Sequence, residues 1–234
     1  MTHPPTSSPI PSGPTGPSRR RVGRPTGLQQ RQRQSSRLRL LDAARDAFAQ
    51  LSYAGTAVDD ICRRAKVNRS TFYRHFDSKF AVAKALFDQF WPRLFAEYDR
   101  LPRTADLSDG AVAGWIQGLV DFYRANKSFF YTIGQIAVLE PEGLTWEETI
   151  RLEVVRLLGQ RFPAFARASA PGAAEEDRVG VRLAMLTFER CLFELAFHVE
   201  NYEPAAVRTV MIDEFRRFVR GELSSKGQTR SPSS

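Results

Sequence analysis

The sequence predicts an all-α protein: an N-terminal three-helix head of helix-turn-helix type and a larger helical body, about nine helices in all. Three observations predict it. From Leu40 to Phe87 the pattern reads helix, short helix, tight turn, short helix, with basic and aromatic residues crowded onto the last. From Leu107 onward apolar residues recur at helical spacing, and no strand-like alternation competes. Charge is segregated: residues 1–80 carry a net +10 and residues 81–234 a net −2. Only the first third is therefore drawn to a polyanion.

Taken in order, residues 1–34 read as a disordered tail rich in Pro, Ser and Arg. Residues 19–34 hold Arg19, Arg20, Arg21, Arg24, Arg31 and Arg33 and no acid. Two readings stay open, a solvated tail or a minor-groove segment. In the second, Arg24 of Gly23-Arg24-Pro25 lies in an A·T-rich groove, as in an AT-hook. The head spans 35–80. Its first helix starts after Ser35-Ser36, either of which can cap it, and Leu38, Leu41, Phe48 and Leu51 share one face up to Gly55. Thr56 to Asp59 reads as a capping box that opens a helix from Ala57 to Ala65, with Ile61 and Ala65 inward. Asn68 caps the third helix. Phe72 and Phe76, one turn apart, anchor it and leave Arg69, Ser70, Thr71, Tyr73 and Arg74 on its other faces.

The body spans 81–222. A fourth helix begins near Lys79 and runs through Val82, Leu86 and Phe90 until Pro92 kinks or ends it. Further helices are expected at about 109–126, 128–139, 145–162, 175–200 and 204–222, with a frayed tail over 223–234.

Several function classes find no support. Cys62 and Cys191 stand far apart, so neither a metal cluster nor a disulfide scaffold is expected. His3, His75 and His198 have no catalytic partner in sequence, and no nucleophile or phosphate-loop motif occurs. No catalytic residue, metal or cofactor is expected. With no signal peptide and no apolar run of ~18 residues, the expected setting is the cytoplasm.

Leu40-Leu41-Asp42-Ala43-Ala44, Phe48, Gly55-Thr56, Val58, Asp60-Ile61, Ala65, Val67, Ser70-Thr71-Phe72-Tyr73, His75-Phe76 and Ser78-Lys79 together resemble the DNA-binding domain of the TetR family of transcriptional regulators. The resemblance covers roughly residues 37–85. It implies a DNA-reading head and a ligand-sensing, dimerising body. Arg69, Ser70 and Thr71 fall at the start of the recognition helix, with Arg69 the base reader. Tyr73, His75 and Lys79 match phosphate-holding positions, and Thr56 lies near a phosphate. Asn68 and Arg74 complete the expected DNA-contacting set. Two residues depart from the pattern: Ala57 replaces a common hydroxyl residue, and Lys66 stands where the turn has Gly.

In the body the resemblance implies a pocket for a hydrophobic small molecule, lined by some of Trp91, Phe95, Trp115, Phe122, Phe130 and Phe188. The helix near 178–199 carries Thr187, Arg190, Glu194 and His198 on one stripe, and almost everything else on it is apolar. Such a wide arc suits a helix packed on its own core and on a second subunit. Arg182 and Glu189 lie inside that arc and need partners; either they pair across a dimer or Glu189 points into the pocket. With the helix at 204–222 this resembles the family's dimer interface. The implied function is a homodimeric repressor, bound to a palindromic duplex operator and released by the ligand. The alternative is a nonspecific, architectural DNA-binding protein gripping through its arginine tail.

Overall fold

The computed structural model of the chain describes residues 27–101, 107–197 and 203–219. These residues form ten helices and no strand. The head comprises α1 (Gly27–Gly55), α2 (Val58–Ala65) and α3 (Arg69–Tyr73). The body comprises α4 (Lys79–Asp99), α5 (Asp109–Ala125), α6 (Lys127–Leu139), α7 (Gly143–Gly159), α8 (Pro163–Ser169), α9 (Glu175–Phe197) and α10 (Pro204–Val219). α4 packs on α1, α5 and α7, and one apolar core runs from Leu40 in the head to Val219 in the body.

In the head, α1 begins at Gly27, well before the expected start after Ser35-Ser36. The added residues are mostly Leu, Gln and Arg, good helix formers that carry no apolar stripe. Ser36 caps nothing; its hydroxyl lies 3.0 Å from the carbonyls of both Gln32 and Arg33. The buried face is Leu40, Leu41, Ala44, Ala47 and Phe48, whereas Leu38 and Leu51 are exposed. Leu38 lies about 120° round the helix from Ala44, and Leu51 precedes Ser52, where the backbone leaves the helical region (φ 64°).

The capping box sits one residue later than expected. Ala57 is the N-cap of α2, and its N–H donates to Asp60 Oδ2 at 2.9 Å. That bond chiefly holds the Asp60 carboxyl below the usual range. The turn after α2 keeps its left-handed residue, but with Lys66 there (φ 54°, ψ 47°). Val67 N–H then closes onto the Cys62 carbonyl at 3.0 Å. Asn68 caps α3 as expected, its side chain accepting from Thr71 N–H at 2.8 Å. Phe72 is fully buried and Phe76 nearly so. A second tie joins α3's C-terminal side to α1. Ser36 Oγ and His75 Nε2 share a hydrogen bond of 3.0 Å. Burial and the cations Arg33, Arg74 and Arg37 push the His75 pKa down.

In the body, α4 continues through Pro92 to Asp99. α7 ends at Gly159, and Pro163 opens a further short helix, α8, in whose first turn it sits and where its missing N–H costs nothing. That short helix brings the number among the described residues to ten. The expected ends of the last two helices, near 200 and 222, lie outside the described residues, as does His198.

The charged side chains of the α9 arc find partners inside the protomer. Buried Arg151 on α7 donates Nε and Nη2 to Glu189 Oε2 at 3.1 and 2.9 Å, Nη1 to Glu148 at 2.6 Å, and Nη2 to Glu147 at 3.2 Å. Arg182 reaches Glu148 at 3.2 Å. Neither expected fate of Glu189, a cross-dimer pair or a pocket-lining acid, is what the structure shows. Its partner lies 38 residues away on a helix whose facing side the sequence does not disclose.

The α6–α7 corner is set by Gly143, at which a Cβ would fall on the Ile136 carbonyl. Gly143→Ala is expected to destabilise the chain by about 2 kcal/mol in a urea titration, because backbone, not a flexible side chain, must yield. Lys66→Gly relieves the left-handed strain and is expected to stabilise by about 1 kcal/mol in the same assay. The unfolded chain takes up a proton at the ordinary histidine value, before the folded His75 does. Stability is therefore expected to fall as pH drops below about 6.5. His75→Gln, whose amide can still hydrogen-bond to Ser36, should flatten that fall in melts across the range.

Candidate nucleic-acid interface

Five residues make α3, too few for a helix to persist alone. It is held by the Asn68 cap at one end and by Phe72 beneath. Phe72 touches Phe76 and Tyr73, with ring centroids 6.0 and 5.3 Å away. With Phe72 turned inward, Arg69, Ser70, Tyr73 and Arg74 are exposed and Thr71 is half-buried. The structure thus brings together the expected recognition face. Part of its hydrogen-bonding capacity is used internally: Ser70 Oγ–H donates to Asn68 Oδ1 at 2.9 Å. Arg69 Nη1 donates to Asp59 Oδ2 of α2 at 3.0 Å, both side chains mostly exposed. The Tyr73 hydroxyl and the Asp59 carboxylate push the Arg69 pKa up. An exposed pair of this kind is weak and screened by salt, so Arg69 is tethered but readily released.

Two expected phosphate residues are placed differently. Thr56 is buried, its hydroxyl donating to the Ser52 carbonyl at 2.6 Å and its N–H to the Tyr53 carbonyl at 3.3 Å. No donor of Thr56 is left for a phosphate. Lys79 is half-buried, with Nζ donating to the Tyr53 carbonyl at 2.8 Å and lying 4.2 Å from the Tyr53 ring centroid. Burial pushes its pKa down, against the pull of Glu140. Lys79 thus closes the C-terminal end of α1, where a cation is favoured. His75 Nε2 is hydrogen-bonded to Ser36 Oγ. Arg24 lies outside the described residues. Arg33, Ser36 and Arg37 of α1 stand near His75, a grouping not foreseen from the sequence. The signal for them is the four-residue spacing of the two arginines, legible only once α1 is known to start early.

The expected ligand-lining residues do not share one cavity wall. Phe90 stacks on Phe129 (4.5 Å) and tilts against Phe122 (5.4 Å). Trp91 stacks on Phe87 (5.1 Å), and Phe130 on Tyr123 (3.7 Å). Phe95 packs at the edge of the core. Trp115 donates Nε1–H to the Glu97 carbonyl at 3.0 Å and stacks on Phe188. Of the six expected aromatics, only Phe188 lines the apolar groove of about 530 Å³ between α8, α9 and α10, with Phe165, Leu183, Val210, Phe215 and Phe218. One polar atom stands out inside the aromatic cluster: Trp91 Nε1 is buried and has no partner among the described residues. No helix of the described residues is long and apolar enough to cross a membrane.

Comparison with known proteins agrees with this geometry. Residues 40–86 match the family model for bacterial regulatory proteins of the tetR family. Over 50 residues the chain is 42% identical to the A-factor receptor protein of Streptomyces griseus, covering 21% of this chain and 18% of that one. The chain matches less than half the length of its curated relatives. The fold extends further. Salmonella enterica GusR superposes with a TM-score of 0.56 at 20% identity, over 76% of this chain and 94% of that one. Thermus thermophilus FadR, a TetR-family transcriptional repressor in complex with lauroyl-CoA, gives 0.53 at 16% identity, over 85% and 100%. Residues 40–86 thus carry the DNA-binding head described for bacterial regulatory proteins of the tetR family, and the chain as a whole shares the fold of solved proteins such as GusR.

Proposed function

We propose that the chain is a homodimeric transcriptional repressor that holds a palindromic operator and is released by a hydrophobic small molecule. The observation that carries the DNA-binding part is the setting of α3. Full burial of Phe72 turns Arg69, Ser70, Tyr73 and Arg74 outward on one short helix, the arrangement that meets base edges and phosphates in a major groove.

Pairing is supported by the exposed apolar side chains of Val179, Leu183 and Leu186 on α9 and Val210 on α10, around the groove those helices form. A second copy laid across them would bury that surface, as symmetric dimers do. Sensing is supported by the aromatic cluster of α4, α5 and α6, with the unpartnered Trp91 Nε1 inside it. The lauroyl-CoA of the FadR neighbour indicates an acyl or similarly apolar ligand. Coupling would run through α1, α4 and α6. The Tyr53 hydroxyl donates to Glu140, and Ala54 N–H donates to Gln135 Oε1 at 2.9 Å. A ligand favouring a different placement of α4 or α6 would thus re-aim the head. It does so only in proportion to its preference for that state.

The test is selection of binding sites from a random duplex pool by the full chain near physiological salt. A palindrome with half-sites about 34–36 Å apart, or a multiple of that, is expected. Tight binding with no enriched sequence would instead support the architectural reading. Arg69→Ala should cut preference for the selected base roughly tenfold or more. Asp59→Asn, which frees Arg69 and removes a carboxylate from the DNA-facing side, should tighten binding to all duplexes, most at low salt. Operator affinity unchanged across a library of apolar ligands would remove the sensing part.

A further inference from the structure

The early start of α1 creates a cluster that the recognition face does not use. Arg33 and Arg37 stand one turn apart on α1, and Ser36 between them is hydrogen-bonded to His75 Nε2 at 3.0 Å. Arg37 lies over the Phe76 ring, 5.0 Å from its centroid, so its guanidinium is placed and not free to sweep. Arg74 adjoins His75 from the end of α3. Arg33, Arg37 and Arg74 all act electrostatically on the His75 ring. Among the described residues no carboxylate lies within ion-pair distance of any of the three, as is also so for Arg39 and Arg64, whereas Arg45, Arg63 and Arg69 in the same head are each paired; what sets the three apart is that they gather round one ring. Three exposed cations gathered from two helices around a half-buried hydrogen bond repel one another. A ligand of opposite charge relieves that repulsion.

We propose that Arg33, Arg37 and Arg74, held around the Ser36–His75 hydrogen bond, form a seat for a backbone phosphate of duplex DNA beside the recognition helix. The proposal rests on the DNA-binding reading and adds to it a grip by the first turns of α1. His75 is a positioning residue in this seat: its Nε2 is engaged with Ser36, and the guanidinium groups, suited to phosphate forks, make the contact. Such a contact carries no base preference.

The test follows binding by anisotropy in a salt series. It uses two probes: the random-sequence duplex pool and the palindrome selected from it. In the double variant Arg33→Gln, Arg37→Gln the slope of log affinity against log salt should flatten by about 2, one per arginine. Both probes should weaken by a similar factor, roughly tenfold or more near physiological salt. The selected sequence should stay the same. Arg33→Lys, Arg37→Lys should recover most of the slope, which a purely structural role for the side chains would not require. A double variant that keeps the wild-type fold by circular dichroism, slope and affinity overturns the seat and leaves the DNA-binding reading intact. Absence of binding by the wild type to either probe overturns both.

Discussion

The placement of the head on the body depends on Tyr53. Its ring is wholly buried between helices, and its atoms face three ways. The backbone carbonyl takes a proton from Lys79 at the start of α4, the ring lies beneath the same ammonium, and the hydroxyl donates to Glu140 at the end of α6. Burial and the neighbouring carboxylate push the phenol's pKa up, so the hydroxyl stays a donor throughout the physiological range. A buried donor that loses its acceptor is costly. The α1–α6 junction therefore has one favoured register, and Gln135 fixes it again at the next residue. The head-to-body angle follows from this junction and from the continuous core along α4.

Most of the architecture was legible because the residues that set it act locally. The Asn68 cap, the Phe72–Phe76 spacing and the Ser78 cap of α4, whose hydroxyl accepts from Ala81 N–H at 3.0 Å, each work within a turn of chain. Gly55 and Lys66 mark the helix ends for the same reason. Where the reading erred, a different force decided. The first turns of α1 form on propensity with no apolar stripe, so periodicity says nothing of them. The short α8 was not foreseen because seven residues are too few for periodicity to announce a helix.

The site was legible in its exposed part and illegible in its buried part. Arg69, Ser70, Tyr73 and Arg74 follow from one inward phenylalanine. Thr56 and Lys79 have the chemistry of phosphate ligands, yet contacts with the end of α1 take both donors of Thr56 and draw the half-buried Lys79 ammonium onto Tyr53. Aromatic spacing in the body shows which residues leave water but not whether they meet one another or a ligand. Phe90 on Phe129 and Phe130 on Tyr123 meet one another. Glu189 and Arg182 demanded partners, a sound inference from burial, but the partners sit on α7. The four charged groups there lock α7 to α9. A buried arginine among three carboxylates makes that face specific more than it makes it stable.

The solvated first turns of α1 have a thermal consequence. Before Ser36 no described side chain of that helix is buried, so these turns gain nothing from the core. They persist because the rest of α1 has already met the cost of nucleation, leaving only propagation, which is nearly balanced for Gln- and Arg-rich sequence and weakens on warming. The length of ordered helix projecting from the head is thus a function of temperature. Any contact made through it has an enthalpy that includes winding the helix, which gives this corner of the molecule a steeper response to heat than the rigid recognition helix beside it.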